Sequence, residues 1–239
     1  MNLMVRIVKR CMDIIISLLA LLFTSPLYLL IAIAIKLDTK GPVFYKQERV
    51  KGFHEEPDGT LTLHTFDMYK FRTMIDKAEK LTGAVLAKQG DPRVTKVGRL
   101  LRRTRLDELP QFWHVLVGDM SVVGPRPERP SIFQNLCVAV PYFEERLRGV
   151  KPGITGLAQV SLGYSGRLEE SHPLYKMKDV LTNPFNLDGL EDSTADDMRT
   201  KMLFDFAYTI ALNNFWSFLL TDLKIIIKTP IVMLLGRGR

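Results

Sequence analysis

The 22 residues from Ile14 to Ile35, IIISLLALLFTSPLYLLIAIAI, carry no charge, and their reading decides the fold. At about 1.5 Å per residue, a helix of this length covers the roughly 30 Å of a hydrocarbon core. Fourteen of the residues are Leu, Ile or Phe, so the run should enter a bilayer on its own account. It is longer than the apolar segment of a secretory signal, and no small-residue cleavage site follows it. Pro26 sits mid-run, where it removes a backbone donor and clashes with the preceding turn; Thr24 and Ser25 can bond the freed carbonyls. Basic residues flank both ends, Arg6, Lys9 and Arg10 before and Lys36 and Lys40 after. Positive charge marks the cytoplasmic side, so both ends on that side satisfies the rule. The reading is a re-entrant helix-break-helix at Ser25-Pro26, each half penetrating part of the bilayer and returning. A single span kinked at Pro26 is the alternative.

Over the whole chain of 239 residues, 46% apolar and 25% charged residues describe one or two ordinary domains, which excludes wholesale disorder and a polytopic membrane protein. Residues 1–40 hold 5 basic and 2 acidic groups, residues 41–130 hold 16 and 12, and residues 131–239 hold 12 and 12, so the whole net charge of +7 lies in the first 130. Cys11 and Cys137 have no metal-ligand spacing, which argues against zinc and for a reducing compartment.

Working outward, Lys40 to Arg49 opens on a Gly-Pro turn and reads as a strand; His54 to His64, with Asp58-Gly59, reads as a hairpin; Phe66 to Met74 reads as the next strand. Helices are expected over Asp76–Leu86 and Val97–Thr104. Between 88 and 105, Lys88, Arg93, Lys96, Arg99, Arg102, Arg103 and Arg105 face only Asp91, which calls for an anionic target. No nucleic-acid signature accompanies the charge, leaving phosphorylated substrates and lipid headgroups.

Directly after these arginines comes Leu106-Asp107-Glu108-Leu109-Pro110. Pro110 belongs in a helical first turn, which places the two carboxylates at the start of a helix running on through Gln111, Phe112 and Val115, where unpaired N–H groups can cradle phosphate. The same residues also fit an ordinary N-cap with a favourable first-turn charge. Then Gly124-Pro125-Arg126-Pro127 frames one arginine between two prolines, suited to contacting a planar or phosphorylated ligand, although a plain turn arginine fits too.

Together these elements resemble the bacterial sugar transferases, the monotopic polyprenyl-phosphate phosphoglycosyl transferases, in their minimal catalytic form. The resemblance rests on Lys9-Arg10-x-x-Asp13, Ser25-Pro26, Gly41-Pro42-Val43-Phe44-Tyr45 with Gln47 and Arg49, Lys70-Phe71-Arg72-Thr73-Met74 and Asp91-Pro92-Arg93. It continues through Gly98-Arg99 to Arg103, Leu106 to Gln111, Gly118 to Ser121, Val123 to Pro127 and Pro152 to Gly156. It implies that a nucleotide-diphospho-sugar, usually a UDP-sugar, gives its phosphosugar to an aspartate with release of UMP, and that undecaprenyl phosphate then takes it up. By position Asp107 is the nucleophile and Glu108 its partner, the pair holding Mg²⁺. Lys70, Arg72, Arg102 and Arg103 would carry phosphate charge, and Arg126 the uridine end of the donor. The resemblance also implies the re-entrant helix, a site on the cytoplasmic face of the bacterial inner membrane, and polysaccharide or glycoconjugate assembly as the setting.

The expected α+β fold therefore has a re-entrant membrane helix (1–40), a small α/β catalytic core (41–160), a variable insertion (161–200) and interfacial amphipathic helices (201–239) with Trp216 near the headgroups. The hairpin Phe53–Leu63 and the insertion depart from the family pattern; the insertion is read as a solvated loop, with sugar choice or a homodimer contact as the other readings. A basic membrane-surface protein without activity and a nucleotide-sugar hydrolase stand as alternative functions. No nucleic acid is expected as a partner.

Overall fold

A computed structural model describes residues 1–76, 78, 91–162, 172–177 and 193–234. The expected helix from Asp76 and most of the 161–200 insertion lie outside the described residues. Helix α1, Leu3–Asp38, is capped by the Asn2 side chain, which accepts from the Val5 N–H at 2.8 Å. It corrects one expectation: the chain passes Ser25-Pro26 as a single helix, where two helices and a break were anticipated. Pro26 has no N–H for the Leu22 carbonyl, and the Ser25 hydroxyl donates to that oxygen instead at 2.8 Å. Thr24 bonds the Ala20 carbonyl at 2.7 Å. Among the described residues α1 is the one helix long and apolar enough to cross a membrane.

Both ends of α1 pack on the same body. Val5, Lys9, Asp13 and Ser17 are buried at one end and Ile31 and Ile35 at the other, while Leu22, Phe23, Leu29 and Leu30 between them are exposed. The first end joins a core of Met120, Val122, Val123, Phe218 and Ile225, and the second joins Phe71 and Leu101.

The two expected strands and separate hairpin are one long antiparallel ribbon, β1 (Phe44–Glu55) and β2 (Leu61–Phe71), with Phe44 opposite Phe71, Glu55 opposite Leu61 and a register shift between Val50 and Gly52. Its turn closes through Asp58, which accepts from the Thr60 N–H, and Gly59, at φ +82°. Helix α2 (Lys96–Thr104) follows with Thr95 as N-cap; Gly98 packs so closely on Thr73 that a Cβ there would overlap the Thr73 backbone. A 3₁₀ turn (Leu106–Glu108), α3 (Gln111–Val117) and β3 (Ser121–Val123) lead to α4 (Pro130–Ala139). Strand β4 (Gly153–Thr155) pairs in parallel with β3, followed by α5 (Leu157–Leu162). The chain ends in α6 (Ser193–Ala211) and α7 (Phe215–Leu234). The first of these starts eight residues before the expected boundary at 201. Along α7, Trp216, Leu220, Leu223, Ile227 and Ile231 form an exposed apolar stripe at helical spacing.

Candidate active site

The carboxylate pair sits in the 3₁₀ turn rather than in the first turn of α3. Pro110 has no N–H with which to continue an α-helical ladder to the Leu106 carbonyl, and the Leu109 N–H closes onto it at 3.3 Å. Upstream, Arg105 ends α2 in the left-handed region (φ +58°), which turns the chain so that Asp107 and Glu108 point inward. Both are buried, at 8% and 9% exposure.

Three elements deliver cations to Glu108. Lys70, from the end of β2, donates to Glu108 Oε1 at 2.9 Å; Arg126, from the loop after β3, approaches at 3.3 Å and Arg105 at 3.8 Å. Burial pushes the Glu108 carboxyl up, but these three charges outweigh it and hold it well below the usual carboxylate range. Asp107 is pushed the other way, up to about 6, by burial and then by Glu108, with Lys70, Arg105 and Arg102 opposing. Its Oδ1 is buried without a hydrogen-bond partner, as is Nε2 of Gln111. A buried, unsatisfied carboxylate oxygen beside a cationic cluster is suited to attack, or to ligate, something that approaches with negative charge.

The other residues singled out in the sequence divide. Arg102 donates from Nε to Thr73 Oγ1 at 2.8 Å, and its charge also reaches Asp107. Arg103 is exposed on α2, and no contact joins it to the pair among the described residues. Arg72 is not brought to the pair; its guanidinium bonds the backbone carbonyls of Thr39, Lys40 and Pro42 and the hydroxyl of Thr39, closing the joint between α1 and β1. Ser25 and Pro26 lie on the exposed middle of α1.

Sequence reasoning treated Lys9 and Arg10 as flanking charge, and the structure uses both, with Asp13, inside the fold. Arg10 donates to the Val115 and Leu116 carbonyls at 2.6 and 2.7 Å, capping the C-terminus of α3. Asp13 accepts from the Val122 N–H and the Ser121 hydroxyl on β3, and Lys9 donates to the Val123 carbonyl. Their spacing, three positions along one helical face, was the available signal. Arg105 belongs to the basic run expected to meet an anion, and Gln111, singled out only as part of the motif, lies beside the pair with Nε2 buried and unpartnered.

Two carboxylates with Lys70, Arg102, Arg105 and Arg126 around them form a buried, strongly charged cluster on a protein built around one long apolar helix. Residues 4–236 match the bacterial sugar transferase family, and the chain belongs to it. Among its relatives, the UDP-N-acetylgalactosamine-undecaprenyl-phosphate N-acetylgalactosaminephosphotransferase of Aeromonas hydrophila is 38% identical over 232 residues, 97% of this chain and 44% of the relative. The UDP-glucose:undecaprenyl-phosphate glucose-1-phosphate transferase of Escherichia coli is 42% identical over 174 residues, 72% of this chain and 34% of the relative. The enzyme of the same name from Caulobacter vibrioides is 35% identical over 221 residues, 92% and 67%. The chain thus spans less than half the length of the first two.

Proposed function

We propose that this chain is a phosphoglycosyl transferase that moves a sugar 1-phosphate from a nucleotide-diphospho-sugar, a UDP-sugar in its named relatives, to undecaprenyl phosphate. The observation that carries the reading is the unpartnered, buried Oδ1 of Asp107 beside a Glu108 neutralised by Lys70, Arg105 and Arg126. In the first half-reaction Asp107 attacks the phosphorus next to the sugar; a P–O bond forms to the carboxylate, the diphosphate P–O bond breaks, and UMP leaves with the bridging oxygen. In the second, an oxygen of undecaprenyl phosphate attacks the same phosphorus and releases Asp107, giving an undecaprenyl-diphospho-sugar. Anion attacking anion is disfavoured unless fixed cations offset the repulsion, and Lys70, Arg102, Arg105 and Arg126 supply that without reorganising. Arg126, at the mouth of a proline-framed turn, is the residue for the nucleotide end.

Mg²⁺ fits the donor set. Asp107 and Glu108 are oxygen ligands, one oxygen is left unpartnered, and a cation that takes one or two carboxylates plus substrate phosphates needs no larger cage. No cluster of three or more His, Cys, Asp or Glu able to hold a metal occurs among the described residues. When bound, Mg²⁺ would neutralise charge on the phosphate oxygens.

The membrane reading is that α1 is re-entrant, with both ends at the cytoplasmic face of the inner membrane and α7 in the interface. It is supported by burial of both ends of α1 against one body, which a span with its ends on opposite faces does not allow. The exposed stripe on α7 suits an interfacial helix.

Purified full chain with Mg²⁺, undecaprenyl phosphate and a panel of UDP-sugars should release UMP from at least one donor. Release from none of them overturns the enzyme reading, and release at full rate without lipid makes the chain a hydrolase.

A further inference from the structure

The turn that carries Arg126 is held at three of its carbonyls. The Gly153 N–H donates to Pro125 O at 2.8 Å, Arg49 Nη1 to Pro127 O at 2.9 Å and the Val50 N–H to Glu128 O at 2.9 Å. Gly124 lies so close to the 151–156 backbone that a Cβ on Gly124, Gly153 or Gly156 would overlap it. These anchors come from strands and loops within the catalytic body.

The anchor at the root of the turn is different in kind. Val123 O, immediately before Gly124, accepts from two buried side chains on different helices, Lys9 Nζ of α1 at 3.0 Å and the Tyr208 hydroxyl of α6 at 3.1 Å. Asp222 of α7 ties the two donors together, taking Lys9 Nζ on Oδ2 at 2.8 Å and the Tyr208 hydroxyl on Oδ1 at 2.9 Å. All three are almost fully buried, at 6%, 1% and 2% exposure. Lys9 also lies 5.5 Å from the Tyr208 ring centroid. Burying a lysine and an aspartate to hold one carbonyl is poor value as stability alone, since an apolar packing of the same volume serves as well or better. It is well matched to fixing the direction of one peptide group, because two donors on one oxygen determine both its position and its orientation.

We propose that Lys9, Tyr208 and Asp222 are positioning residues for donor binding: by fixing the Val123 carbonyl they set the Gly124–Pro127 turn that holds Arg126 against Glu108. The inference rests on the function proposed above for Asp107, Glu108 and Arg126. It adds that the helices with the exposed apolar faces, α1 and α7, reach the nucleotide side of the site through one buried triad.

The mildest probe is Tyr208→Phe, which removes one hydroxyl and keeps the packing. In the full chain reconstituted in lipid, Tyr208→Phe should raise the donor KM about fivefold, the worth of one hydrogen bond, with the undecaprenyl phosphate KM unchanged. In an Arg126→Ala background the same change should have no further effect on donor KM, because the residue it positions is gone. A KM shift of equal size in both backgrounds, or a parallel fall in kcat and in both KM values, overturns the proposal. So does wild-type behaviour of Tyr208→Phe. Hydrogen exchange reads the same inference without turnover: amides of 121–129 should exchange faster in Tyr208→Phe while those of α3 do not change, and unchanged exchange at 121–129 overturns it. A wild type that releases no UMP but shows this exchange pattern would sink the proposed function and leave the positioning triad standing.

Discussion

Two carboxylates side by side in a buried turn repel each other, and the three nearest cations all converge on the oxygen of Glu108, so the cost of the arrangement falls on Asp107. Its folded pKa is raised to about 6 from 3.8, first by burial and then by Glu108. The folded state therefore binds more protons than the unfolded state across that window, and the stability associated with Asp107 is lost as pH rises through it. Asp107→Asn should abolish UMP release while raising stability at pH 7 by of order 1–3 kcal/mol, seen as a melting temperature several degrees higher. Turnover of the wild type should fall on acidification, because the attacking oxygen must be ionised and burial with Glu108 beside it favours the protonated form. Glu108 has the opposite sign: its carboxyl is held low, so its contribution is present above its unfolded pKa and lost on acidification. Glu108→Gln removes the charge that Lys70, Arg105 and Arg126 share and should lower stability by about 3 kcal/mol as well as activity. A Glu108→Gln variant that melts with the wild type would show that the cations do not depend on it. The adjacent carboxylates, closed by Pro110 after a run of arginines, were legible as a feature, but the same residues fit an ordinary N-cap, and only the resemblance gave them roles. The fate of Arg72 was not legible. Strand alternation would set it on the same face as Lys70, but β2 ends at Phe71 and the next residue leaves the pleat for the end of α1.

Along α1 the sequence gives the right chemistry and the wrong consequence. Pro26 does remove a hydrogen bond, and of the two neighbouring hydroxyls Ser25 takes the freed Leu22 carbonyl while Thr24 bonds Ala20 instead; the compensation leaves one helix, since Ser25 satisfies the very oxygen that Pro26 deserts. This couples the two residues. Ser25→Ala alone leaves the Leu22 carbonyl unpartnered on an apolar, exposed stretch and should cost about 1–3 kcal/mol. In Pro26→Ala the amide at 26 reaches that carbonyl, and Ser25→Ala should then be nearly neutral. A double-mutant cycle from detergent melts measures the coupling, and additive effects would mean that the Ser25 bond does not stabilise the helix. The strands of the β1–β2 ribbon and its turn were legible for a simpler reason: β-branched and aromatic runs, alternation and a turn dipeptide are local signals, whereas their joining into one ribbon depends on the pairing across it. The spacing of Lys9, Arg10 and Asp13 puts them on one helical face, but their partners lie more than a hundred residues away, at Val115, Val122 and Val123, and the spacing alone does not name them.

Over the whole molecule the excess charge of the first 130 residues separates into two uses. Lys70, Arg102, Arg105 and Arg126 face the carboxylate pair, whereas Lys9 and Arg10 hold α1 against the body. That second use constrains topology. The anchors of one end of α1 are on α3, β3 and α7, and those of the other end are Phe71, Leu101 and the N–H of Val97, which Asp38 accepts at 2.9 Å. On the proposed re-entrant reading, a body packed on both ends lies on one side of the bilayer that α1 enters, and both ends share that side. Single cysteines at Leu3 and Lys40, both exposed, test this in a background with Cys11 and Cys137 replaced, since Cys11 is itself exposed. A membrane-impermeant maleimide should label both positions in inside-out vesicles and neither in intact spheroplasts. Labelling from opposite sides would require α1 to detach at one end and would reject the re-entrant reading, whatever the outcome of the UMP assay. The variant Asp38→Ala sharpens the test: it removes the tether to Val97 without touching the carboxylate pair, so residue 40 should become more readily labelled while remaining on the same side as residue 3.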